Sequence, residues 1–83
     1  MTVAAAFPAA ERERLLAVKG VGPTVVARLE EIGIASLAEL AEREPEQICV
    51  EVSLYLGASC WRNSPQSRAA IAAAVACARG AAG

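Results

Sequence analysis

The stretch Leu15 to Ile34, LLAVKGVGPTVVARLEEIGI, decides the fold. Gly20, Val21 and Gly22 are followed by Pro23 and an apolar helical stripe, which reads as a helix, a very tight hairpin and a second helix. Glycine accepts positive φ cheaply and lets another molecule come close to the main chain. Pro23 suits the first position of the next helix, where its missing N–H costs nothing. The first-turn amides of that helix lack intrahelical partners and lie at the positive end of its dipole, an arrangement suited to an anion. If the anion is a nucleic-acid phosphate, main-chain contacts would position the duplex without reading its sequence.

From this stretch outward, five helices are expected. The first runs from Pro8 to about Val18 and turns Leu15 and Val18 inward; the second runs from Pro23 to about Ile32, with Val25, Leu29 and Ile32 on one face. Gly33 is a natural stop. Ser36, with Glu39 three places on, forms a capping-box pattern for a short third helix that turns Leu37 and Leu40 inward. Pro45 opens a fourth helix ending near Gly57, although Ile48, Val50, Val52, Leu54 and Leu56 alternate as in a strand. A helix is expected over residues 46–56 because the chain offers no second strand to pair with; strand exchange between two copies is the alternative. Ser64 and Pro65 begin a fifth, alanine-rich helix with Ile71, Val75 and Ala78 aligned, ended by Gly80. Residues 8–80 are read as one domain between flexible ends, 1–7 and 81–83. Twenty alanines among 83 residues favour helix, and at this length the larger apolar residues must supply most of the core.

Residues Leu15 to Leu29 resemble the helix-hairpin-helix motif, with Leu15, Val18, Gly20, Val21, Gly22 and Leu29 in its characteristic places. The continuation through Gly33-Ile34, Ser36-Leu37, Glu39-Leu40, the Cys49 region and Gly57 is similar to the small helix-hairpin-helix proteins of a pathogenicity-locus family. The resemblance implies a compact all-α, SAM-like domain and a non-sequence-specific DNA-binding module of the kind found in repair and replication proteins; it does not imply an enzyme. Two positions depart from the pattern. Val26 stands where alanine is usual, and Thr24 where a lysine often follows the proline. The candidate nucleic-acid-binding residues are Lys19, Gly20, Val21, Gly22, Thr24 and Arg28. The segment Leu56 to Ile71 is a candidate second, degenerate hairpin, with Arg62, Arg68 and Trp61 as weaker contact candidates.

Charge argues the other way. Eight Lys plus Arg against nine glutamates gives −1 and a pI near 5.3, whereas nucleic-acid modules are commonly basic. A protein-interaction adaptor on the same helical scaffold is therefore the alternative function. In the first helix Arg12 and Arg14 interleave with Glu11 and Glu13 as a mixed solvated face.

Other chemistries find little support. Cys49, Cys60 and Cys77 form no Cys-x-x-Cys pair, and the chain has neither histidine nor aspartate, so no metal site, catalytic residue or cofactor is expected. Cys49 and Cys77 fit small buried apolar roles, and Cys60 beside Trp61 a more exposed one. The apolar run Ala69 to Ala78 is far short of the roughly 20 residues a bilayer crossing needs, and no secretory signal opens the chain. A cytoplasmic domain with reduced thiols and no small-molecule substrate is the expectation.

Overall fold

A computed structural model describes residues 6–57 and 60–82. All regular structure among them is helical: α1 (Ala9–Leu16), α2 (Pro23–Glu31), α3 (Leu37–Ala41), α4 (Pro45–Leu56), α5 (Cys60–Asn63) and α6 (Pro65–Ala82). Six helices stand where five were expected. The addition is the single turn α5, within the segment read as a candidate second hairpin. The disputed segment 46–56 is helix, and its alternating letters put Ile48, Cys49, Val52 and Ser53 inside while leaving Val50, Leu54, Tyr55 and Leu56 exposed.

The ends of the helices follow their local chemistry. At α2, Gly33 takes φ +92°, its N–H donates to the Glu30 carbonyl at 3.0 Å, and the Ile34 N–H reaches the Leu29 carbonyl at 3.0 Å. This is the two-bond Schellman arrangement, closed by the apolar pair Leu29 and Ile34, both buried. Ser36 caps α3, its hydroxyl accepting the Glu39 N–H at 3.1 Å; the Glu39 carboxylate accepts from Ala35 at 3.3 Å, one residue before the usual partner. Ser64 likewise accepts the Ser67 N–H at 3.3 Å at the start of α6. Gly80 does not stop α6, which runs on to Ala82.

The long helix α6 is the hub, touching each of the other five. Its inward stripe is Ala70, Ile71, Ala74, Val75 and Ala78, all buried. Alanine at three of these places lets the neighbouring backbones approach, while Ile71 and Val75 mesh with Leu15, Leu29, Leu40, Ile48 and Val52 in a single core. Phe7 belongs to this core as well, and its N–H donates to the Glu30 carboxylate at 3.0 Å, so order begins inside the segment read as a flexible lead.

Charged side chains bind the helices together from outside. Arg79 donates to the Ala41 and Arg43 carbonyls at 3.1 and 3.2 Å and to the Glu44 carboxylate at 2.9 Å, closing the end of α3. The Glu11 carboxylate accepts the Leu37 N–H at 2.7 Å and joins α1 to the start of α3. Arg43 pairs with Glu51, and Arg12 lies 3.7 Å from Glu30. No helix of the described residues is long and apolar enough to cross a membrane.

Candidate nucleic-acid interface

The connection between α1 and α2 spans residues 17–22, two residues more than expected, because α1 ends early. Leu16 is its last residue, two before the expected end, and the chain turns through two bonds of 3.0 Å, Val18 N–H to the Leu15 carbonyl and Val21 N–H to the Val18 carbonyl. Gly20 is the residue that needs to be glycine for conformation, at φ +91°. Val21 turns its side chain into the core and is 6% exposed, which pins the corner to the body of the protein. Gly22 is extended, at φ −120° and ψ −179°, and serves as N-cap of α2 with no side chain to offer. A Cβ at Gly22 would meet nothing within 4 Å, so neither backbone angle nor packing demands glycine there.

What glycine does at position 22 is leave the amides open. The first intrahelical bond of α2 is Val26 N–H to the Gly22 carbonyl at 3.2 Å. Among the described residues no acceptor takes the N–H groups of Lys19, Gly20, Gly22, Thr24 or Val25. Gly20 is exposed, Gly22 half-buried, and Thr24 exposed at the second position of the helix. The corner is thus a set of main-chain donors without internal acceptors at the positive end of a nine-residue helix, held in place by buried Val21, with Val25 half-buried against the core.

The cationic candidates separate in the structure. Lys19 is exposed and has no carboxylate partner among the described residues. Arg28 lies one turn along α2 from Thr24 and is tied to Glu31, so its charge is largely neutralised in place. Five of the eight cations, Arg12, Arg28, Arg43, Arg68 and Arg79, are paired this way, leaving Arg14, Lys19 and Arg62 without a carboxylate among the described residues. Val26, the large residue in a usually small place, is fully buried and contributes to the core instead of approaching a ligand.

One neighbour was not legible in the sequence. An open cleft of about 370 Å³ beside the corner is lined by Lys19, Gly20, Gln66, Ala69 and Ala70, so the start of α6 forms the second wall. Gln66 carries an amide there. Its signal was present only as the Ser64-Pro65 helix start, which gave the helix but not its neighbour. The segment proposed as a second hairpin contains α5 and no Gly-apolar-Gly corner; residues 58 and 59 of that call lie outside the described residues.

The cysteines play no visible part in this corner. Cys49 is buried, and burial pushes its thiol above the ordinary range, with Arg68 pulling down and Glu46 adding to the rise. Cys77 is half-buried against the core, and the side chain of Cys60 lies outside the described residues. Trp61 packs partly buried on the core. Among the described residues no three of His, Cys, Asp or Glu converge as a metal site. Comparison with protein-family models, curated proteins and solved structures finds no match to this chain.

Proposed function

We propose that the chain is a helix-hairpin-helix module of the SAM-like kind that binds DNA without regard to sequence, gripping backbone phosphate through the main-chain donors at Gly20, Gly22, Thr24 and Val25. The observation that carries this reading is the exposed corner whose amides lack internal acceptors while its central side chain is buried. Lys19 adds the free charge, Thr24 a hydroxyl, and Arg28 contributes only when it leaves Glu31. One or two phosphates are engaged, so binding is weak and its salt dependence shallow. An acidic chain with five of its eight cations already paired can do this because the contact relies on main-chain dipoles more than on net charge.

The test is a salt series of binding to fluorescent duplexes of two unrelated sequences. Equal affinity for both is expected, with log K falling against log salt at a slope of about −1 to −2, and Lys19→Gln flattening that slope by nearly one. Strong preference for one sequence, or a Lys19→Gln slope equal to that of the unaltered protein, contradicts the reading.

A second reading is favoured by the exposed apolar side chains in the last turns of α4. Leu54 is 76% exposed and Tyr55 58%, with Val50 and Leu56 partly exposed beside them. Exposed apolar side chains gathered on one helix suit a protein partner. An adaptor engaging the last turns of α4 would lose its partner on Leu54→Glu and retain any DNA binding of the hairpin.

A further inference from the structure

The cations without carboxylate partners do not all lie at the hairpin. A second open cavity, of about 320 Å³, is lined by Glu46, Cys49, Val50, Arg62, Asn63 and Arg68, between α4, α5 and the start of α6. Its wall on α5 carries Arg62, which has no carboxylate partner among the described residues, and the Asn63 amide. The α6 side carries Arg68, held by Glu46 at 3.1 Å in a pair whose side chains are 51% and 84% exposed. So exposed an ion pair is weakly held, and Glu46 can swing into water at little cost.

We propose that this cavity is a phosphomonoester site, with Arg62 and Arg68 on the phosphate and Asn63 donating beside them. Two guanidiniums suit a group carrying close to two negative charges at neutral pH better than they suit a singly charged diester. Cys49 and Val50 add an uncharged part to the lining, burial pushing the Cys49 thiol up. Glu46 acts as an internal stand-in for the ligand: it occupies Arg68 until displaced. Arg62 is positioned by its main chain, whose N–H donates to the buried Ser53 hydroxyl at 2.9 Å, so its side chain is free for a ligand without loss to the fold. This site is separate from the hairpin and does not depend on the DNA-binding reading.

The test is an amide NMR titration of the full chain at low salt, with inorganic phosphate in one arm and a short single strand, with and without a 5′ phosphate, in the other. Shifts at Arg62, Asn63 and Arg68 with phosphate are expected, lost by about tenfold in affinity on Arg62→Ala and strengthened severalfold on Glu46→Gln. The Gly22→Ser variant, altered only at the hairpin, keeps these shifts. If the phosphorylated strand shifts the same amides more strongly than phosphate and the unphosphorylated strand does not, the ligand is a nucleic-acid terminus; if phosphate acts and neither strand does, it is a small phosphomonoester. No shift at Arg62 to Arg68 with millimolar phosphate or phosphorylated strand overturns the proposal, as does unchanged phosphate affinity in a folded Arg62→Ala protein.

Discussion

Gly22→Ser separates what the corner does for the fold from what it does for a ligand. Gly22 sits in extended backbone at the N-cap of α2, where serine is as acceptable as glycine and its Cβ meets no atom within 4 Å. Its hydroxyl would lie within reach of the Thr24 and Val25 amides, the usual partners of a capping oxygen. The stabilising terms are a few tenths of a kcal/mol for the cap and about 0.4–1 kcal/mol from a stiffer unfolded chain. Together they come to roughly 0.6–1.4 kcal/mol, which in a domain of this size raises Tm by roughly 2–11 °C. For a bound phosphate the same hydroxyl is a competitor, taking one amide and crowding the approach. Losing one charge-assisted bond of about 1.5–3 kcal/mol weakens binding roughly 10- to 100-fold. Thermal unfolding by circular dichroism and anisotropy with a labelled duplex measure the two effects on one sample. A protein that is more stable yet binds DNA as before would refute the assignment of the corner as the contact. A protein that is markedly less stable would refute the geometric premise that position 22 tolerates a side chain.

Other consequences follow from the same coordinates. Gly20→Ala places a side chain at φ +91°, where nothing clashes but the backbone is strained, so a cost of about 1–3 kcal/mol is expected in urea unfolding, opposite in sign to Gly22→Ser. Ile71→Ala removes a fully buried side chain from the helix that touches all the others, and a loss of about 2–5 kcal/mol is expected; less than about 1 kcal/mol would show that α6 is not the hub. The buried Cys49 thiol has its titration raised in the folded state. Stability therefore holds below the ordinary value of 9.0 and falls as pH rises past it, because the unfolded chain ionises first; Cys49→Ser should remove that part of the alkaline loss in unfolding measured at pH 8 and pH 10.

Much of the fold was legible because the sequence marks its helix boundaries with residues whose effects are local. Pro23, Gly33, Ser36, Pro45, Gly57, Ser64 and Pro65 each act within a turn of themselves, and each begins or ends a helix as its chemistry requires. Residues 46–56 were ambiguous because Val50, Leu54 and Leu56 are apolar yet exposed, which imitates a strand's alternation on a helix only half covered. Tyr55, three residues on from the buried Val52, is exposed. Gly80 was read as a stop, but a glycine at an exposed position of a long alanine-rich helix lowers local propensity without ending it.

At the hairpin, the donors at Gly20, Gly22 and Thr24 could be placed from sequence because glycine and proline spacing fixes the local backbone. The pairing of Arg28 with Glu31 was open to the same reasoning, since residues three apart on a helix are neighbours. Gln66 across the cleft and the sharing of one cavity by Arg62, Arg68 and α4 were not, because tertiary packing of α6 brings them there.

An amide NMR titration with a short blunt duplex at low ionic strength tests the central claim most directly. The account expects shifts concentrated at Gly20, Gly22, Thr24 and Val25 that fade as salt is added. Silence at those four amides with millimolar duplex, or the largest shifts in the last turns of α4 instead, contradicts it.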